Sequence, residues 1–316
     1  MSVAQYKWFR TAVQVKGSVL RAVLPRVFVC GTFGVAVSIL DNYGWAINWP
    51  TAETLIPSLV LGLLLVFRTN TAYDRFWEGR KSWGTIIVNV RNLARQIWVS
   101  VIDREAEDTL GKITTLRLLS AFAVATKLHL RDEPVNEELA AFMTPARYHK
   151  LQSMINPPLE IAFWIGDYLQ QQYRSDRLHI HQLTAMYALL DNLVAALSSC
   201  ERIKKTPIPL AYAIHLKQLL LIYCLSLPFQ MVKTLGWQTG IAVALVSFAL
   251  FGIEEIGIEI EDPFGHDAND LPLDAICSTM QRNIEDLISL SPSVQEEDVD
   301  SSSLQSLLNS STPESF

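Results

Sequence analysis

The sequence predicts an all-α fold: a four-span integral membrane protein with a large helical cytoplasmic region. Three observations predict it. Half of the 316 residues are hydrophobic and only 18% are charged, a balance that soluble helical proteins of this size seldom show. Apolar stretches come as two pairs, one near each end, separated by a long amphipathic middle. Lys and Arg are distributed asymmetrically around those stretches.

In chain order, residues 1–26 form a basic N-terminal segment, without the apolar core and small-residue cleavage site of a removable signal. Residues 27–67 hold spans one and two. The first runs from Val27 to Leu40 and less purely to Trp49; the second, Leu55 to Phe67, has only thirteen residues before Arg68. By length alone that second stretch is equally a soluble core helix or a span with protein neighbours. The middle, 68–206, carries apolar residues at three- and four-residue intervals and reads as helical throughout. Breaks are expected at Asp103–Glu107, Arg131–Val135, Asn156–Pro158 and Ser175–Arg177, with Pro157 and Pro158 suited to a first helical turn. Residues 207–260 hold spans three (Leu219–Leu235) and four, the latter free of charge from Thr239 to Ile253; the two form a hairpin around Gly236 and Trp237. A C-terminal segment, 261–290, precedes a Ser- and acid-rich tail at 291–316 that is expected to be flexible.

Topology follows from charge. The link Asp41–Thr54 has no Lys or Arg, and the second link has only Lys233. Lys7, Arg10, Lys16, Arg21 and Arg26 precede span one; Arg68, Arg75, Arg80 and Lys81 follow span two; Arg202, Lys204 and Lys205 precede span three. The positive-inside rule then sets both termini and the middle in the cytoplasm. Trp45, Trp49 and Trp237 fall beside the links, where interfacial aromatics sit.

Several function classes are excluded. A net charge of −6 without a basic block does not recommend a nucleic-acid partner. Cys30, Cys200, Cys224 and Cys277 lack metal, redox or disulfide spacing and are expected to be buried apolar residues. No HExxH, GxSxG, Walker loop or dinucleotide fingerprint occurs, so neither an enzyme nor a cofactor is implied. His179 and His181 have no companion ligands and read as a solvated helix start. His215 and Lys217 face either a vestibule or the membrane interface.

Three segments in order, FRTNTAYDRFWEGRKSWG from Phe67, CERIKKTPIPLAY from Cys200 and EDPFGHDANDLPLD from Glu261, resemble the bestrophin ion-channel family, particularly its prokaryotic and plant-type branch. The resemblance covers Lys16 to about Leu290 and implies a homopentamer of helical subunits around one ion pathway, in membrane lipid. A ring also has a physical argument: four spans are too few to enclose a wide aqueous path alone, so a pore forms more easily on a symmetry axis.

Leu59, Leu63 and Phe67 recur every four residues as one inclined helical stripe. The resemblance assigns them to a hydrophobic neck, where a dry constriction gates ions; the alternative is packing against another span. Pro57 can start the second helix, whose first-turn amides favour an anion. Pro207 and Pro209 bracket Ile208 and oppose a regular helix there; the resemblance places Ile208 at a cytoplasmic aperture. Glu254, Glu255, Glu259, Glu261 and Asp262 cluster at the end of span four and are expected to pair structurally with Arg68, Arg75 and Arg80. In animal bestrophins an acidic run after the PFG element forms a calcium clasp. Here HDAND keeps Asp267 and Asp270 as oxygen donors, but His266, Ala268 and Asn269 interrupt the run, which puts calcium control in doubt.

The reading that unites these features is a passive channel for chloride, with bicarbonate or nitrate as further anions, in a bacterial plasma membrane or a photosynthetic membrane. The alternatives are a monovalent-cation-permeable channel of the same family and a non-conducting membrane scaffold.

Overall fold

A computed structural model describes residues 17–45 and 55–290, with 8, 10 and 13–15; residues 55 and 56 are described by backbone alone. Expectations for Lys7, Lys16, Trp49 and the tail 291–316 lie outside the described residues. Ten α-helices and no strand occur among the described residues: α1 Leu20–Asn42, α2 Leu55–Ser100, α3 Ala106–Leu130, α4 Glu137–Ala140, α5 Pro145–Gln152, α6 Pro157–Arg174, α7 Ile180–Lys205, α8 Leu210–Leu235, α9 Thr239–Glu261 and α10 Leu273–Ile288.

The breaks have local causes. The carboxylate of Asp108 accepts from the backbone N–H groups of Arg104 and Glu105, starting α3 with a capping box. Asn156 caps α6 by accepting from the N–H of Leu159, with Pro157 at the first turn. Helices α3 and α6 end alike: Asp132 (φ 56°) and Asp176 (φ 54°) take the left-handed conformation. The next N–H in each, Glu133 and Arg177, reaches back to the carbonyls of Leu128 and Gln172 at 2.9 Å. This is the Schellman arrangement, with aspartate where glycine is commoner. The break between α4 and α5, before Pro145, had no expectation attached.

The chain forms two compact units. The first comprises residues 1–80 and 202–271, the second 81–201 and 272–316. Helix α2 runs unbroken through Phe67 to Ser100, so the apolar stretch and the helix do not end together.

In the first unit α9 packs along α1, and α8 packs on both. Its core contains Val23, Cys30, Leu61, Leu65, Leu216, Leu220, Cys224, Leu227, Val243 and Phe251. The α1–α9 crossing is close because small residues meet: a Cβ on Gly34 would lie 3.0 Å from the Gly240 Cα, and one on Gly240 would meet the side chain of Val35. Helices α8 and α9 are joined by the 3-10 turn Gly236–Gln238, with Gly236 at φ 51°, as the hairpin expectation required. Lys233 pairs with Asp41 at 2.7 Å.

In the second unit α3 is central, with α6 and α10 packed on it. Its residues 118 to 128 are all buried, including Lys127. All four cysteines are buried, and none is in a disulfide.

Among the described residues three helical stretches are long and apolar enough to cross a membrane: Leu20–Asn42, Ile180–Lys205 and Leu210–Glu261, the last comprising α8, α9 and their turn. The second of these, α7, lies in the amphipathic middle, where the sequence pattern placed no span. Its apolar residues Leu183, Met186, Leu193 and Cys200 are buried within the protein.

Candidate functional site

The first three turns of α2 have two faces. Leu61 and Leu65 are buried in the core of the first unit. Leu59, Leu63 and Phe67 are 71%, 53% and 55% exposed. A four-residue step advances a helix by slightly more than one turn, so these three share an outward apolar stripe. Pro57, near the described start of the helix, is also exposed. The hydroxyl of Tyr212 on α8 donates to the carbonyl of Leu64 at 2.8 Å and holds this stretch from behind.

Directly after the stripe comes Arg68, which is 5% exposed. A buried guanidinium needs a partner, and Nη2 donates to Oε2 of Glu261 at 2.7 Å. The other oxygen of that carboxylate, Oε1, accepts from the backbone N–H of Ile208 at 2.9 Å. Two turns further along α2, Arg75 donates from Nε to the Glu261 carbonyl at 3.1 Å, from Nη2 to the Ile203 carbonyl at 2.6 Å and from Nη1 to the Thr206 carbonyl. Ile208 itself is half-buried in the bend between α7 and α8.

Of the expected partners for the acidic cluster, Arg68 therefore pairs with the Glu261 carboxylate and Arg75 meets that residue's backbone carbonyl instead, while Arg80 is exposed and stands outside this network. Glu254 and Glu255 have a different partner: Arg26 reaches them at 3.4 and 2.8 Å. Charge pattern alone did not reveal Arg26, because it is remote in sequence and lies at the start of span one. Arg202, grouped with the topological charges, pairs with Glu78.

The PFG element packs where α2 leaves room for it. A Cβ at Gly79 would come within 3.0 Å of Pro263 and 3.2 Å of the Phe264 ring. Beyond it, Asp270 uses Oδ2 to accept from the N–H of Asp267 at 2.7 Å, tightening the HDAND loop on itself. Glu259 accepts from Asn269. Among the described residues no group of three or more His, Cys, Asp and Glu side chains could hold a metal ion. Asp267 and Asp270 remain two weak candidates without further ligands. His179 and His181 stack with ring centroids 5.1 Å apart, and His215 and Lys217 are exposed.

Residues 1–286 match the family model described as bacterial and fungal bestrophin protein. The chain belongs to that family. Among curated relatives, a voltage-dependent anion channel-forming protein of Nostoc sp. (strain PCC 7120) is 63% identical over 299 residues, which is 95% of this chain and 97% of the relative. A protein of Escherichia coli K12 bearing the same description is 31% identical over 281 residues, covering 88% of this chain and 90% of its own length. A crystal structure of the bestrophin homologue from Klebsiella pneumoniae superposes with a TM-score of 0.79 at 28% identity, over 85% of this chain and all of that one. The bestrophin resemblance read from three segments thus extends over the chain as a whole. The family is one of channel-forming membrane proteins and not of enzymes.

Proposed function

We propose that this chain forms a passive anion channel, a homopentamer that conducts chloride, with bicarbonate and nitrate as further candidate ions. The observation that carries the reading is the apolar stripe of Leu59, Leu63 and Phe67. It is exposed on a single subunit although large apolar side chains favour burial, and it lies on a helix that supplies a core from its opposite face. A ring of such stripes around an axis makes a narrow apolar neck, where ions pass only when it is wetted. Ile208 supplies a second ring at the cytoplasmic aperture, and Pro57 marks the helix start that favours an anion at the neck entrance. Four spans, with Leu55–Phe67 as the second, and cytoplasmic termini follow from the charge asymmetry; the membrane is bacterial plasma or photosynthetic. The channel names of the relatives support the anion assignment.

The acidic end of span four bears on the cation-selective alternative. Glu254 and Glu255 share Arg26, and Glu261 pairs with Arg68, so direct contacts offset most of the negative charge these three carry. Purified protein in planar bilayers under a chloride salt gradient is expected to reverse near the anion equilibrium potential, and reversal at the cation value removes the anion assignment. Leu63→Ala and Phe67→Ala are expected to change unitary current or open probability; unchanged currents in an otherwise active channel refute the neck. Absence of flux in liposomes supports the scaffold alternative.

A further inference from the structure

A cavity of about 450 Å³ opens between α1, α8 and α9, towards the helix ends that carry Leu20, Leu210 and Glu261. All of its walls belong to the first unit. Each helix contributes one charged residue and, one turn away, apolar ones. Arg26 is followed by Val29 and Cys30 on α1, Lys217 by Leu220 and Leu221 on α8, and Glu254 is preceded by Phe251 on α9. Helix α9 runs antiparallel to α1, since Arg26 meets Glu254 near one end while Ser38 donates to the Gly236 carbonyl at the other. The charges therefore share one level and the apolar residues share the next. Arg26, Lys217 and Glu254 stand six, seven and seven residues from those helix ends, roughly 10 Å along each axis.

Charge is also sorted by exposure. The side chains of Glu254 and Glu255 are 4% and 13% exposed, and both meet a single nitrogen of Arg26, Nη1. Arg26 is 44% exposed, and its Nε–Nη2 edge donates to no described residue. Lys217, exposed on α8, forms no direct ion pair or hydrogen bond among the described residues. Acids thus lie inside and cations at the mouth. One level deeper, Cys30, Leu220 and Phe251 belong to the buried core and make the floor, whereas Val29 and Leu221 form an exposed apolar wall.

We propose that this cavity binds one anionic glycerophospholipid of the cytoplasmic leaflet. The phosphate bridges the Nε–Nη2 edge of Arg26 and the Lys217 ammonium, and an acyl chain lies along Val29 and Leu221 over the floor. A guanidinium fork matches phosphate oxygens and an ammonium adds a point charge; basic pockets between spans take lipid headgroups in this way. The two carboxylates, held on Nη1, fix the orientation of the fork. A choline headgroup would set another cation beside Arg26 and Lys217, so the site prefers an anionic lipid. The inference rests on the membrane topology proposed above, which sets the leaflet, and not on the pore.

The first test is a lipid titration of the full-length assembled protein in mild detergent, with bound lipid counted by native mass spectrometry. Phosphatidylglycerol is expected to bind about fivefold more tightly than phosphatidylcholine, and Lys217→Gln to remove about fivefold of that affinity, the usual worth of one cation beside a lipid surface. Lys217→Arg is expected to keep it within about twofold. Equal affinity for the two lipids, or affinity that ignores Lys217→Gln, overturns the site. Displacement of phosphatidylglycerol by millimolar inorganic phosphate shows a phosphate site without a lipid and overturns it as well.

The second test places phosphatidylglycerol with a photoactivatable acyl chain on the protein in bilayers and maps the labelled residues. Label is expected to concentrate at Val29 and Leu221 and to fall severalfold in Leu221→Trp, which fills the open wall and keeps both cations. Label spread evenly over the exposed apolar residues of α1, α8 and α9 refutes the site. So does a disulfide between subunits in a Val29→Cys, Leu221→Cys variant, which puts a second copy of the chain on this face. His215→Cys, two residues from Lys217, reports the topology separately. Modification by a membrane-impermeant maleimide only from the cytoplasmic face supports the leaflet assignment; modification only from the outer face refutes the topology, and the leaflet with it.

Discussion

Helices α3 and α9 are both apolar, and they use that character in opposite ways. Every residue of α3 from 118 to 128 is buried, on all sides of the helix, and Lys112 and Lys127 are buried with it. Helix α9 carries no charge from Thr239 to Ile253, yet Ile241, Leu245 and Phe248 are 58%, 66% and 42% exposed in the single chain. The solvent for α3 is the rest of its own unit. The solvent for α9 has to come from outside the chain, as lipid or a neighbouring subunit. Apolar content therefore does not measure how much a helix contributes to the stability of the chain that contains it.

The largest effect expected from this contrast is at Phe122, whose side chain is fully buried in α3. Phe122→Ala should cost about 3–5 kcal/mol, seen as a lowered thermal midpoint in mild detergent. Next comes the buried ammonium of Lys112, which meets Asp103 at 2.8 Å, the Val101 carbonyl at 2.8 Å and the face of Trp98 at 5.4 Å. Asp103→Ala should cost about 2–3 kcal/mol in the same assay, below the usual loss for a broken buried pair because the carbonyl and the ring remain.

A smaller effect is expected in acid. The hydrogen bond from Lys127 holds the Asp274 carboxyl below its ordinary value of 3.8, with Arg131 adding to it against the opposing pull of burial. Burial pulls the Lys127 ammonium down, but its hydrogen bonds to Glu138 and Asp274 outweigh that and leave it raised above 10.5. A lowered carboxyl contributes stability above its unfolded value and loses it as pH falls through the folded one. A raised ammonium contributes below its unfolded value and loses it only as pH climbs through the folded one. The cluster is thus intact from above about pH 4 to about pH 10. Below that range it should lose about 1 kcal/mol or less, since the Asp274 side chain is 64% exposed and screened. Asp274→Asn should remove this acid step from a series of thermal midpoints. The smallest effect belongs to α9: Leu245→Ala should shift the midpoint of the single chain by no more than about 0.5 kcal/mol. A loss at Leu245 comparable to that at Phe122 breaks the comparison.

Much of the helical layout was legible because its punctuation is local. Asn156, Pro157 and the Asp108 capping box act within a few residues, and Pro207 and Pro209 announce the bend that holds Ile208. The apolar stripe of α2 was visible as a four-residue repeat. Legibility failed where an interaction joins distant segments. The pairing of Arg26 with Glu254 and Glu255 links the two ends of the chain, and the use of both Glu261 oxygens depends on geometry that charge counting does not contain. The pairing of the acidic cluster with Arg68 was foreseen; that one of its members would also hold the backbone at Ile208 was not. The continuous α2 was obscured for a different reason, since hydropathy changes at Arg68 while helical propensity does not.

The close crossing of α1 and α9 has a mechanical meaning. Gly31 and Gly34 face Gly240 and Ala244 so tightly that a Cβ at Gly240 would also lie 3.0 Å from the Gly31 carbonyl. Slipping one helix past the other by a single residue would drive a side chain into a space that now holds only hydrogen. The pair is a keyed joint with one seating, and the two helices tilt and translate as one body. Movement in the membrane region is left to contacts mediated by longer side chains, which can change rotamer and keep touch while they move.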